Sequence, residues 1–334
     1  MKRSKVAILG GGSWGTTTAS VISRHCDAIL WARDGQIVDE INQAHTNHRY
    51  LGNAALNAKL TATTDIGAAV NQAEAVLIAV PSSHFREVLA SALSDLPMGI
   101  PLISLSKGLE KGSRMRMTEI IHDVAPGRIP GVLTGPNLAR EIVAGQAAAS
   151  VLALEDHEAA LALQPKLNAG LFRVYTNQDV IGCELGGVLK NIIAIAVGMG
   201  DGLGAGDNTR AALITRGLAE MSRLGEALGG KAETFAGLAG MGDMIATCTS
   251  PQSRNRHVGM ELAKGRSIDD IIDTMHMVAE GVKSAPTVID LAQEKGISLP
   301  ISEDVYRVII GESSARGVYR GLLRITAGAE SDPG

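Results

Sequence analysis

The sequence predicts an α/β chain: a doubly wound parallel sheet in the first half and an all-α domain in the second. Three observations lead there. Short apolar runs alternate with helical patterns over the first half. A glycine-rich turn at Gly10, Gly11 and Gly12 follows the first apolar run and opens a helical pattern. Beyond about Asp179 the Val/Ile runs disappear and the helical segments lengthen.

Val6, Ala7, Ile8 and Leu9 form the first strand candidate. Residues 16–25 read as a helix and 28–31 as a second strand; further strands are expected at 75–80, 101–105, 132–134, 148–154 and 172–175. Strands alternating with helices make a parallel sheet covered on both faces. In the second half, helices are expected over 183–199, 209–228, 267–275, 284–294 and 301–310. Asp207 and Asn208 before Thr209, and Ser267 before Asp269 and Asp270, supply start signals, because short oxygen-bearing side chains accept from first-turn N–H groups. The boundary falls within residues 178–184, giving domains 1–180 and 181–330, and the polar tail 329–334 is expected to fray.

A chain of 334 residues has room for about two domains. With 3% aromatics, its core must come from Ala, Val, Ile, Leu and Met. A net charge of −4 supplies no global basic field, which excludes nucleic acid as the expected partner and requires local cations for an anionic substrate. Cys26, Cys183 and Cys248 are odd in number and form no CxxC pair, so a disulfide framework or zinc site is not expected; they read as free thiols in a reducing cytosol, and no metal is expected. The basic start is followed by strand and glycines rather than an apolar helix, and no run reaches the roughly 18 apolar residues of a membrane span. A cytoplasmic location is the expectation.

Gly10, Gly12 and Gly15 fit GxGxxG, and here the motif sits between a strand and a helix with a second strand following. That context makes it a Rossmann-type dinucleotide fingerprint. Gly10 permits the tight turn, Gly12 lets a pyrophosphate approach the backbone, and Gly15 lets the helix pack on the strand. At the end of the second strand, Arg33 stands near the place where NAD enzymes carry an acidic residue, and it could pair with a 2′-phosphate. NADP(H) is therefore favoured, while Asp34 leaves NAD(H) possible.

Two segments of the second half carry polar groups in apolar surroundings. Lys190 and Asn191 follow Glu184 on a helical, apolar stretch, where a lysine either snorkels to water or is held at a site. Gly237, Gly240, Gly242 and Asp243 precede Thr247, Cys248, Ser253, Arg254 and Asn255. Hydroxyl, guanidinium and amide donors side by side suit a phosphate. A polar loop with a helix cap is the alternative.

These residues together resemble the bacterial NAD(P)-dependent glycerol-3-phosphate dehydrogenases over nearly the whole chain. The resemblance is carried by residues 10–16, by Ser106, Lys107 and Gly108, by Gly135 and Pro136, by residues 184–191, 206–220 and 240–243, by Thr247 and Cys248, by residues 253–255, and by Ala279, Glu280 and Gly281. It implies that Lys190 is the catalytic lysine and that Lys107 touches both cofactor and substrate. It places Gly135, Asn137, Lys190, Asp243, Ser253, Arg254 and Asn255 at substrate-binding positions. Ser13, Trp14, Arg33, Ala139, Arg254, Val278 and Glu280 fall at cofactor contacts. Asn137 stands where the family usually has Ser or Thr, Leu138 where it has Phe, and Gly52 where it has Pro.

The resemblance further implies reversible hydride transfer between NAD(P)H and dihydroxyacetone phosphate, supplying glycerol 3-phosphate for glycerophospholipid synthesis, in a homodimer. Lys190 would give a proton to the developing alkoxide, Arg254 would bind the phosphate, and Asp243 is expected to hold a substrate hydroxyl rather than pair with Lys190. A related two-domain hydroxyacid dehydrogenase is the rival enzyme. A non-catalytic redox sensor is the other rival, but it has no need of Lys190, Asp243 and residues 253–255 together.

Overall fold

A computed structural model describes residues 5–275 and 279–322. Val278 and the tail at 329–334 lie outside the described residues. The chain forms two compact units that divide after Val180.

The first unit carries β1 (Lys5–Leu9), β2 (Asp27–Trp31), β3 (Thr61–Thr63), β4 (Ala75–Ile78), β5 (Pro101–Ser104), β6 (Ile129–Thr134), β7 (Ala148–Leu154) and β8 (Phe172–Asn177). They lie in one sheet, ordered β3-β2-β1-β4-β5-β6-β7-β8. Strand order reverses between β1 and β4, and a reversal of this kind opens a crevice at the carboxyl ends of the strands.

Alternate residues of the central strands face opposite cores, as the two-residue repeat of a strand requires. Val6, Ile8, Ala75 and Leu77 enter one apolar cluster, while Ala7, Leu9, Val76 and Ile78 enter the other. Burial on both faces is why β1 and β4 read as unbroken apolar runs. β3 escaped the sequence reading because its Thr-Ala-Thr segment is a short edge strand with only Ala62 buried.

The expectation of a wholly parallel sheet needs one correction: β6 and β7 are antiparallel, with Gly131 opposite Leu154. The connection between them holds only the five-residue helix Ala139–Val143. A parallel return must run back along the whole strand, and a helix of five residues spans only about 7.5 Å against about 20 Å for six-residue β6.

The first helix, Ser13–Ile22, begins earlier than its sequence pattern suggests, inside the glycine motif. Low helix propensity at Gly15 is overridden by packing: a Cβ there would stand 2.0 Å from the Gly10 carbonyl oxygen. Gly10 itself has φ +124°, and a Cβ on it would meet the Ala79 carbonyl oxygen at 2.6 Å. Only glycine satisfies both positions.

The second unit is helical throughout its described residues. Its first helix, Val180–Gly202, is long and apolar enough to cross a membrane, with mean hydropathy 1.8 over an 18-residue window, yet 94% of that window is buried inside the protein. The sequence reading found no such stretch, because Glu184, Lys190 and Asn191 interrupt it. The helix Arg254–Ala263 crosses this core helix at backbone contact. A Cβ on Gly198 would lie 2.0 Å from the Arg256 carbonyl oxygen, and one on Gly259 would lie 2.1 Å from that of Ile195.

Candidate active site

The nucleotide turn of the first unit is built from backbone. Gly12 is the N-cap of Ser13–Ile22 and offers no side-chain bond to the first-turn N–H groups. The space a Gly12 side chain would fill is open, with no atom within 4 Å. An uncapped helix start below an open approach fits the pyrophosphate of a dinucleotide. Asn47, fully buried, donates to the Gly11 carbonyl (3.0 Å) and to Thr16 Oγ1 (2.9 Å), holding the turn from behind. Sequence reasoning missed Asn47, because nothing local marks a residue so distant in the chain.

Trp14 stands in the first turn with its ring edge-on to Phe172 at 6.1 Å, and its indole N–H is buried without a protein acceptor. Thr17 Oγ1 donates to the Ala139 carbonyl, which ties the start of helix Ala139–Val143 to this turn. Arg33 is exposed just beyond β2. Asp34 is engaged: it caps helix Gly35–Ala44 by accepting from Gln36 N at 3.0 Å, and its other oxygen accepts from Arg49 at 3.3 Å. Gly52, the departure from the family's proline, adopts φ +63°, which proline cannot reach.

The structure brings Lys107 and Gly135 together, with Lys107 Nζ donating to the Gly135 carbonyl at 2.9 Å. Gly135 has φ +128°. Asn137 is hydrogen-bonded to Ser150 through its Oδ1, while its buried Nδ2 finds no protein acceptor. A donor in that condition suits a ligand oxygen.

In the second unit, Lys190 is buried on the core helix. Its ammonium donates to Asp243 Oδ1 at 2.7 Å and to Thr247 Oγ1 at 2.5 Å. Asp243 therefore pairs with the lysine, which corrects the expectation that it would instead be held apart for a substrate hydroxyl. Asp243 and Thr247 project from one face of helix Asp243–Thr249 at the i, i+4 spacing. The polar segment singled out in the sequence, from Gly237 to Asn255, holds this helix and the start of Arg254–Ala263. The bond of Thr247 to Lys190 was not read from the sequence, although its four-residue spacing from Asp243 was an available signal.

Ser253 is the N-cap of Arg254–Ala263, its Oγ accepting from Arg256 N at 3.2 Å. Asn255 is buried; it donates to Asn191 Oδ1 (2.8 Å) and accepts from Gly281 N (3.0 Å). The trio 253–255 is thus divided in role. Ser253 sets the helix start, Asn255 ties the helix to Asn191 and Gly281, and Arg254 between them is exposed at the helix's first position. Desolvation by the surrounding protein lowers the Arg254 pKa, while the charge of Glu280 acts to raise it. Two expected cofactor contacts therefore lie within electrostatic reach of each other.

A Rossmann-type unit joined to a helical unit with a buried, carboxylate-held lysine defines a two-unit dehydrogenase that uses a nicotinamide dinucleotide. Residues 5–160 match the NAD-dependent glycerol-3-phosphate dehydrogenase N-terminus and residues 179–320 match the C-terminus of the same family. The chain belongs to the NAD-dependent glycerol-3-phosphate dehydrogenase family. It is 62% identical over 332 residues to glycerol-3-phosphate dehydrogenase [NAD(P)+] 2 of Sphingopyxis alaskensis, covering 99% of this chain and 100% of that one. Identity to the Mycobacterium avium glycerol-3-phosphate dehydrogenase [NAD(P)+] is 50% over 331 residues, covering 99% and 97%. The crystal structure of the Coxiella burnetii glycerol-3-phosphate dehydrogenase superposes with a TM-score of 0.91 at 37% identity, covering 97% of this chain and 100% of that one.

Proposed function

We propose that the chain interconverts dihydroxyacetone phosphate and glycerol 3-phosphate with NAD(P)H. The observation that carries the proposal is the buried Lys190 ammonium, aimed by Asp243 and Thr247. The bound dinucleotide supplies or accepts the hydride at substrate C2. Lys190 gives its proton to the oxygen that becomes the 2-hydroxyl, and in the reverse direction takes it back. Asp243 holds the ammonium in place and balances its charge, and the Thr247 hydroxyl fixes its direction. Arg254, with the N–H groups of its helix start, binds the substrate phosphate, and its reach fixes orientation rather than chemistry. Lys107, Gly135 and Asn137 are the substrate-binding residues of the first unit in this reading. Ser253 acts by capping the Arg254 turn, and Asn255 by anchoring that helix to Asn191 and Gly281.

NADP(H) is the preferred cofactor in this reading. Asp34, the carboxylate that would otherwise take a ribose 2′-hydroxyl, is engaged as a helix cap and with Arg49. Arg33 beside it is exposed and suited to a 2′-phosphate. The Gly10–Gly12 turn, Ser13, Trp14, Gly15 and Ala139 form the rest of the dinucleotide site in the first unit. Supply of glycerol 3-phosphate for phospholipid synthesis, a cytoplasmic location and a homodimeric state belong to the same proposal.

The test is oxidation of NADPH by the purified protein with dihydroxyacetone phosphate, repeated with NADH and with 2-oxo acids. Turnover on the phosphate alone supports the assignment; turnover on the oxo acids alone sinks it in favour of a hydroxyacid dehydrogenase.

A further inference from the structure

Lys107 lies in a long connection, between the end of β5 and the helix Met117–Val124. A lysine that must meet small ligands from such a segment needs the segment held. Two sets of bonds hold it. On the near side, Leu105 N donates to the Ile78 carbonyl at 2.8 Å and Ser106 Oγ to the Val80 carbonyl at 2.5 Å, fastening the chain to the end of β4. On the far side stands Glu110, three positions beyond the lysine. Its two carboxylate oxygens accept from Arg86 Nε at 2.8 Å and Nη2 at 2.9 Å, a two-bond fork. Arg86 sits in the first turn of helix Phe85–Ala92, and its remaining Nη1 bonds Asp123 on helix Met117–Val124 at 2.5 Å. The loop beyond is closed on itself: Glu110 N donates to the Met115 carbonyl and Arg114 N to the Glu110 carbonyl, each at 2.9 Å.

We propose that Glu110 and Arg86 are positioning residues for the proposed reaction: their fork clamps the loop so that the Lys107 ammonium is held at the Gly135 carbonyl, where substrate and cofactor are to meet it. The inference rests on the proposed role of Lys107. Planar two-point pairing fixes orientation as well as distance, which a single point charge cannot do. With Arg86 36% and Glu110 20% exposed, solvent screens the charges, so the pair acts through its two-point geometry rather than through charge attraction. The pairing also lowers the Glu110 pKa, so the clamp is charged throughout the neutral range.

A double-mutant cycle on the full-length enzyme tests this, with Glu110→Gln, Lys107→Met and both together, measured by kcat and KM for dihydroxyacetone phosphate and by Tm. Lys107→Met alone should lower kcat/KM. Glu110→Gln should lower kcat/KM about ten-fold, chiefly through KM, since small misplacements of a binding group cost that much or more. In the Lys107→Met background the same change should cost less than about two-fold, the usual scatter of independent sites. Equal losses in both backgrounds, or no loss from Glu110→Gln, overturn the clamp while leaving Lys107 in its role. A silent Lys107→Met overturns the role of Lys107 and the clamp with it. If Glu110→Gln does not fold, Arg86→Lys takes its place in the cycle, because it keeps the charge and loses the fork.

Discussion

Lys190 and Asp243 form a buried ion pair at 2.7 Å, joining residues 53 positions apart in the chain, with side chains 7% and 2% exposed. Such a pair is costly to form and more costly to break from one side. Thr247 Oγ1 stands beside it and takes a second bond from the ammonium.

Lys190→Met and Asp243→Asn should each lower turnover at least about a hundred-fold, the usual share of a positioned acid or base. Each should also destabilise the fold by about 3–5 kcal/mol, because one buried charge loses its partner. The double variant should recover most of the lost Tm without recovering activity. Thermal melts and steady-state rates on the three variants check this; a double variant no more stable than the singles contradicts the pair's electrostatic character.

Arg254→Ala should act on binding. Loss of a charge-assisted contact to phosphate is expected to cost about 3 kcal/mol, or roughly a hundred-fold in KM for dihydroxyacetone phosphate. Its stability should change little, since Ser253 still caps the helix. An unchanged KM removes the phosphate from this position.

Arg33→Asp should weaken NADPH far more than NADH. The exposed guanidinium is the proposed partner of the 2′-phosphate, and an acidic residue there would repel it. Dissociation constants for both cofactors, read from nucleotide fluorescence, decide the matter; equal losses refute the role.

Glu220 is buried on helix Asp207–Ala227 and caps a neighbouring helix, accepting from Ile301 N at 2.6 Å, Ser302 N at 3.1 Å and Ser302 Oγ at 2.8 Å. In Glu220→Gln the new amide NH2 would face one of those donors, so a loss of about 1–3 kcal/mol is expected. Burial raises the Glu220 pKa against these hydrogen bonds. A folded-state pKa above the unfolded one favours the folded chain fully below the unfolded value, and that contribution fades as pH rises through the folded value. The gap between the wild type and Glu220→Gln should therefore narrow from mildly acidic to neutral pH. A gap that widens in denaturant melts over that range contradicts the direction of the shift.

All three cysteines are buried as free thiols, and burial pushes Cys248 up to about 12, with Lys190 acting in the opposite sense. At pH 8 such a thiol is about one part in ten thousand thiolate, the reactive form. A thiol reagent should label the native enzyme slowly and find all three cysteines once guanidinium unfolds it. Rapid labelling of Cys248 in the native state would contradict its burial.

Much of the first unit was legible because its strands are buried on both faces, so residues such as Val76, Leu77 and Ile78 must all be apolar. The glycine turn was legible for a related reason: Gly10 and Gly15 are positions where a side chain has no room. β3 was not, since an edge strand needs neither apolar run nor alternation.

Local pattern thus determined the alternating sheet, the dinucleotide turn and the helical character of the second half, since each depends on neighbours within a few positions. The family resemblance singled out Lys190, Asp243 and Arg254 one by one. Tertiary structure decided how they are used. It paired Lys190 with Asp243 and Thr247 and committed Asn255 to Asn191 and Gly281. Hydrogen bonds between groups dozens of residues apart depend on how helices cross, and a linear spacing carries no trace of that crossing.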